Sequence, residues 1–321
     1  MSSENPFRES RLNSSRNFRP EWDVPELNQG ITKWLVEEVG RLRGREEPDP
    51  GQMIAAMTGP PGYGKTHLFG RIEHLVDQDV FFVFVPAFEE ETAPLDHIRW
   101  HVVEALFRIS AHKYSPLEMA LARLCRPAFA DYFANLPPTL AARHEPMQRR
   151  LEESPEAVLE VVHQVKTMGP FLKLADSLLQ VVPHDAGVVR ALALGWAPAP
   201  WSVTARRWLQ GQDLPDAERR ALGLSEVGPT ALEVLEAIPA YFGYTKPMMI
   251  CCDQVEGLLI ANNPDTINRL TSSLMDLLQA VPVQIVLSCF EDQWEKFFKN
   301  AFNALKMRIK RPSFIFTVLA S

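Results

Sequence analysis

Cysteine is scarce in this chain. Four in 321 residues, with Cys251 and Cys252 adjacent in an apolar run and Cys125 and Cys289 standing alone, are too few for a disulfide framework. No C-x-x-C pair exists, so the thiols read as reduced and buried, which suits a cytoplasmic protein. No apolar stretch approaches the ~18 residues that a membrane span needs, and the start, Met1-Ser2-Ser3-Glu4-Asn5-Pro6, lacks a basic-then-apolar signal. The expectation is a cytoplasmic chain with no membrane partner. An excess of positive charge is also missing. With 33 basic and 40 acidic residues the formal charge is −7, so any contact with nucleic acid or an anionic surface has to be local. There is no internal repeat and no low-complexity tract, which excludes repeat arrays. What remains, 46% hydrophobic and 23% charged, describes a soluble protein that buries one large core or two modest ones.

Against these absences stands the octapeptide Gly59-Pro60-Pro61-Gly62-Tyr63-Gly64-Lys65-Thr66, which fits G-x-x-x-x-G-K-[ST]. Met53 to Thr58 ahead of it reads as a short buried strand. From His67 onward, Leu68, Ile72 and Leu75 make one helical stripe. In that context the glycines turn backbone N–H groups inward around phosphate oxygens, Lys65 adds a point charge, and the Thr66 hydroxyl ligates Mg²⁺. Residues Gly59 to His67 are therefore the expected nucleotide-binding segment, with ATP and Mg²⁺ as the ligands.

Val80 to Val85, ended by Pro86, is a continuous β-branched and aromatic run, the mark of a strand buried on both faces. Met248 to Cys252, Val283 to Ser288 and Phe314 to Leu319 read likewise, giving five strands of a three-layer α/β core with a mostly parallel sheet. Between Pro86 and Pro247 the patterns are helical: Pro94 to Ile109, Pro116 to Leu136, Pro155 to Val182, Thr204 to Gln210 and Thr230 to Tyr241. Many of the 26 prolines mark their joints, and Gly195 to Trp201 is the most obvious linker. The expected organisation is an N-terminal arm and helix over residues 1–50, a core over 51–90 and 245–321, and a large all-helical insertion over 91–244. The arm carries Arg8, Arg11, Arg16 and Arg19 without a steady period and leads into a helix near Ile31 to Leu42.

A phosphate loop needs a carboxylate at the end of a neighbouring strand to hold hydrated Mg²⁺, and Asp253, directly after Met248 to Cys252, meets that need. Glu256 is the nearest acid that can activate water, although many ATPases place this Glu right after the Asp, where Gln254 stands. Ser288 ends the next strand, either within reach of the γ-phosphate or simply as a strand-end serine. Beyond it Lys296, Lys299, Lys306, Arg308, Lys310 and Arg311 form a basic stretch interleaved with Phe297, Phe298 and Phe302. Three readings stay open for it: the solvated face of a helix, an arginine (Arg308, then Arg311) reaching the nucleotide of an adjacent subunit, or a local DNA contact through Lys296 to Arg311. His97 and His101 have a metal-capable spacing, but Ile98 stands where a zinc-protease helix has its Glu.

The Gly59 to Thr66 loop, the strand ending Asp253-Gln254-Val255-Glu256, Ser288 and Arg308 together resemble the AAA+ and STAND class of P-loop ATPases. The Asp-Gln-x-Glu ending looks most like prokaryotic STAND-type and origin-recognition-like ATPases. Ala205 to Gly211 with Leu222 to Leu224 also resembles a region of ATP-binding proteins of phage-defence systems. The resemblance implies a sheet ordered 5-1-4-3-2, nucleotide-dependent oligomers or a larger ATPase complex, and an ATP-hydrolysing switch or motor subunit in a defence or DNA-transaction system. The rival expectations are a nucleotide-gated scaffold with little hydrolysis and a small-molecule kinase. Members of the class follow the last strand with a helical lid. Here the sequence stops at Ser321, soon after Leu319, so the expectation is a fragment or a lid supplied from elsewhere.

Overall fold

The computed structural model describes residues 18–49, 51–76, 79–88, 93–109, 113–134, 145–146, 148–150, 153–154, 156–260, 264–300 and 303–310. The chain divides into two units, residues 1–101 with 245–321 and residues 102–244.

In the first unit the apolar runs form strands β1 (Ile54–Thr58), β2 (Phe81–Val85), β3 (Met248–Cys252) and β4 (Val283–Cys289). All pair in parallel, in the order β1-β4-β3-β2. Side chains alternate between the two faces of a strand. Ala55, Met57, Phe82, Met249, Cys251 and Val286 pack against Ile31, Leu35 and Val39 of helix α1 (Gln29–Gly40). The same cluster takes in Leu68, Phe69, Ile72 and Val76 of helix α2 (Lys65–Val76). Alternate residues Ile54, Ala56, Val83, Ile250, Cys252, Ile285 and Leu287 are equally buried on the other face. Burial on both faces is why these strands read as unbroken apolar runs and why the sheet is parallel.

The expectation of a five-stranded sheet whose fifth strand is Phe314 to Leu319 is corrected. Among the described residues four full strands make the sheet, in the order 1-4-3-2 in place of the expected 5-1-4-3-2. Beside β1 lies only the two-residue strand β5 (Ile309–Lys310), paired with Ile54 and Ala55. The reason lies in register: the chain leaving helix Asn303–Arg308 meets the start of β1 at once, ahead of the apolar run. Phe314 to Leu319 lies outside the described residues.

Helix α3 (Pro94–Phe107) crosses the division between the units. The second unit continues with α4 (Pro116–Ala134) and with helices Glu156–Val162, Gly169–Leu178, Ala186–Leu194, Trp201–Leu209, Asp216–Leu222 and Ala231–Tyr241. Its described residues contain no strand. The expected helix over Pro155 to Val182 is broken, because Gly169-Pro170 starts a new one with proline in its first turn. Two helices escaped the sequence reading. Ala186–Leu194 is started by the Asp185 side chain accepting from the Val188 N–H at 2.9 Å, and Asp216–Leu222 is closed by Gly223 at φ +65°. The front of the segment read as a linker is core: Trp196 and Ala197 are buried, and a Cβ at Gly195 would lie 2.6 Å from Leu117 and 2.8 Å from Phe107, whereas Ala199 and Pro200 are exposed.

Gln52 anchors the entry to β1. Its buried Nε2 donates to the carbonyls of Val281 (3.0 Å) and Val283 (2.6 Å) at the start of β4. Gln52→Ala removes both bonds, and the expected loss, read from urea denaturation, is about 1–3 kcal/mol.

Candidate functional site

β1 delivers the chain to the carboxyl edge of the sheet, where the Gly59 N–H donates to the Cys289 carbonyl at 3.4 Å. The loop then turns through Gly62 and Gly64, both at φ +81°, a conformation that side chains with a Cβ seldom adopt. Lys65 opens α2, and as at any helix start the first-turn N–H groups of Lys65, Thr66 and His67 have no carbonyl one turn back to bond. Lys65 Nζ donates to the carbonyls of Gly59 (2.7 Å) and Pro60 (3.0 Å) and lies 5.2 Å from the centre of the Phe290 ring. Burial pulls the ammonium below its ordinary pKa, and the Glu256 and Asp253 carboxylates work against that shift. Tyr63 stands at the rim, partly exposed.

Alternation along the strands settles which side chains meet this loop. Ser288 pairs with Met57 and lies on the face that packs against α2, and Asp253 continues the same parity one step beyond β3. Thr66 Oγ1 donates to Asp253 Oδ2 at 2.5 Å, and Ser288 Oγ donates to Asp253 Oδ1 at 2.5 Å. Three stretches of sequence thus close on one carboxylate that is 3% exposed. A hydroxyl beside a carboxylate is a hard oxygen donor set of the kind Mg²⁺ takes when phosphates and water complete its shell.

Gln254 follows at φ +54°, left-handed for a non-glycine residue, and it is exposed. That turn carries the side chain at 254 outward and bends the chain back, with the Val255 N–H on the Ser288 carbonyl at 3.1 Å. Glu256 then begins the helix Glu256–Ile260 and comes to rest 4% exposed near Lys65. Its Oε2 has no hydrogen-bond partner among the described residues. Burial pushes the carboxyl up, partly opposed by its own backbone N–H, by the Lys65 ammonium and by the nearby Cys289 thiol. The backbone conformation of Gln254 thus turns the position after the aspartate outward and brings Glu256 in beside Lys65 instead.

Other neighbours of the site gave no signal in sequence. Cys289 and Phe290 continue β4 past Ser288 to Glu256 and Lys65. The arm also reaches α2. Asp23 accepts from Arg71 Nε (2.9 and 3.0 Å) and Nη2 (2.5 Å), and it bonds His67 Nε2 at 2.8 Å. Arg71 donates further to the carbonyls of Leu27 and Val24. Phe18 sets its ring edge-on to His67, 5.0 Å away. Burial works to raise the Asp23 pKa, but the bonds from Arg71 and His67 outweigh it and hold the carboxyl below its ordinary value.

Arg308 is not brought to this chain's own loop. It donates to the Gln52 carbonyl at 3.3 Å, just ahead of β1, roughly 23 Å of extended chain away from Gly59. The basic stretch divides into helices Glu291–Asn300 and Asn303–Arg308, with Trp294 and Phe297 buried and Lys306 close to the half-exposed Phe298 ring. Phe302 and Arg311 lie outside the described residues. His97 and His101 pack ring to ring at 4.8 Å. Among the described residues, no group of three or more His, Cys, Asp or Glu is arranged to hold a metal ion, and no helix is long and apolar enough to cross a membrane. A Mg²⁺ held by one hydroxyl, one carboxylate and phosphates would not form such a group. Comparisons with protein-family models, curated proteins and solved structures found no match.

Two outcomes follow from the charges. The folded pKa of Asp23 is lowered, so its contribution is present above the ordinary carboxyl range and lost as pH falls through the folded value. Asp23→Ala should cost about 1.5–3 kcal/mol at pH 7 in urea denaturation, with the gap to wild type closing in acid. Glu256 has the opposite sign: its folded pKa is raised, so the penalty on the charged form is present at neutral pH and disappears below the ordinary glutamate range. Glu256→Gln should therefore melt at a higher temperature than wild type at pH 8, and the two should converge near pH 4.

Proposed function

We propose that this chain binds ATP with Mg²⁺ at the carboxyl edge of its parallel sheet and hydrolyses it, working as a nucleotide-dependent switch or motor subunit. The observation that supports this reading most is the double anchoring of the buried Asp253 carboxylate, by Thr66 of the glycine-bearing loop and by Ser288 of β4. Five residues singled out for one chemistry, Lys65, Thr66, Asp253, Glu256 and Ser288, come from three separate stretches. Their resemblance to the AAA+ and STAND class adds to it.

In this reading the first-turn N–H groups of α2 receive the phosphates, as helix starts do for anions, and Lys65 leaves the Gly59 and Pro60 carbonyls to pair with the β- and γ-oxygens. Thr66 and Asp253 would hold Mg²⁺, with Ser288 fixing the carboxylate's orientation. When bound, Mg²⁺ neutralises charge on the β- and γ-phosphate oxygens. Glu256 accepts the proton of the attacking water through Oε2, and the ammonium of Lys65 nearby favours its ionised form. Arg308, turned away from its own loop, serves an adjacent subunit, so hydrolysis depends on assembly. The basic stretch that carries it is the place for a local DNA contact, and the cytoplasm is the compartment.

A second reading is a nucleotide-gated scaffold with little hydrolysis. Its support is Gln254 in the position after the aspartate, since a side-chain amide takes no proton from water. Two measurements decide between them. Lys65→Ala should abolish binding of a fluorescent ATP analogue; retained binding sinks the nucleotide site. Glu256→Gln should bind ATP as wild type does and lose about 10²–10⁴-fold in single-turnover hydrolysis. A wild type that binds but does not turn over leaves the scaffold reading. Sizing the protein with and without a non-hydrolysable analogue, and with and without DNA, tests assembly.

A further inference from the structure

The Asp253 carboxylate meets a third donor. Oδ2 accepts from Thr66, while Oδ1 accepts from the Ser288 hydroxyl at 2.5 Å and from the backbone N–H of Gln254 at 3.1 Å. Between Cys251 and Glu256 every residue is buried except Gln254, and it is Gln254 that has the left-handed backbone, φ +54°. Its neighbours are tied to different strands. The Asp253 N–H donates to the Val85 carbonyl at the end of β2 (2.8 Å), and the Val255 N–H donates to the Ser288 carbonyl of β4 (3.1 Å). In an extended strand the N–H groups of residues two apart point the same way, so the chain changes its bonding side at Gln254. The Gln254 carbonyl then accepts from the Gly257 N–H at 3.2 Å, in the first turn of the helix that Glu256 begins.

We infer that Gln254 is a positioning residue that works through its main chain: its N–H fixes Oδ1 of Asp253 and its carbonyl anchors the helix of Glu256, so one left-handed residue aims both acids. This deepens the ATPase reading above and rests on it. Ser288 and Gln254 between them occupy Oδ1, which leaves Oδ2, shared with Thr66, as the oxygen for Mg²⁺. Glycine takes a positive φ without steric cost, whereas a residue with a Cβ is strained there. None of the bonds above uses the glutamine amide, and the side chain is exposed. What the site requires at position 254 is therefore the backbone conformation, not the side chain that stands on it.

The test uses the full chain with Gln254→Gly, Gln254→Ala and Gln254→Val, reading the urea midpoint, the affinity for the ATP analogue without Mg²⁺, and the Mg²⁺ dependence of single-turnover hydrolysis. At an ordinary negative φ an alanine variant outlasts a glycine variant in urea; here the order should reverse, with Gln254→Gly highest and Gln254→Val lowest. Gln254→Gly should hydrolyse within about twofold of wild type. Gln254→Val should lose about tenfold or more in rate and need about tenfold or more Mg²⁺ for half its maximum, with Gln254→Ala between the two and analogue affinity within about threefold throughout. If the valine variant fails to fold, glycine against alanine carries the same contrast. Glycine melting below alanine overturns the backbone role, and so does an equal loss of rate in all three variants, which would put the work on the amide side chain. A lowered midpoint with rate and Mg²⁺ dependence unchanged overturns the positioning role, and none of these results touches the ATPase reading. Wild-type protein that binds the analogue but shows no turnover overturns that reading and this role with it.

Discussion

Asp253 is nearly as buried as any core leucine, and a carboxylate taken that far from water is tolerable only when its oxygens are bonded. Both are, by hydroxyls 187 residues before it and 35 residues after it in the chain. The rest of the first unit can be seen as the means of bringing those three groups together. The parallel sheet aligns the ends of β1, β3 and β4 on one edge, the alternation of side chains turns Ser288 and Asp253 to the same face, and the glycines of the loop swing Thr66 over that face at the start of α2. Slip β3 or β4 by a single residue and the polar group it carries points into the wrong layer.

Much of this was legible in the sequence because it depends on local composition. The four full strands announce themselves as unbroken apolar runs, the loop as glycines around Lys65 and Thr66, and Asp253 as an acid at a strand end. Glu256 was legible as the nearest acid, but its burial beside Lys65 was not: that lies in the left-handed backbone of Gln254, which no pattern of side chains signals. Cys289 and Phe290 were equally silent, since a cysteine and a phenylalanine at a strand end read as core. The sheet's edge misled for a different reason. Phe314 to Leu319 has the composition of a strand, whereas the described pairing with β1 is made by Ile309 and Lys310, a choice dictated by where the preceding helix releases the chain. In the helical unit, Ala186–Leu194 is buried at six of its nine positions, all around its second half, so it lacks the one-sided stripe by which helices are usually recognised.

The loop's electrostatics hold two opposed tendencies. Burial weakens the charge on both Lys65 and Glu256, and each partly restores the other. Such a pair is costly as architecture, since both groups are taken from the water that would otherwise stabilise their charges. Phe290, with its ring toward the Lys65 ammonium, supplies some of the attraction that a solvent shell would otherwise give.

The arm that precedes α1 shapes how the molecule can be divided. Asp23 neutralises a guanidinium that is otherwise enclosed beside the first turn of α2, and the carbonyls of Val24 and Leu27 complete its bonding. A polypeptide begun at Gln29 would keep every strand and helix of the sheet yet leave Arg71 enclosed without its counter-charge. The autonomous unit around the loop therefore starts upstream of its first helix, and a stretch that looks in sequence like an appendage is part of the foundation.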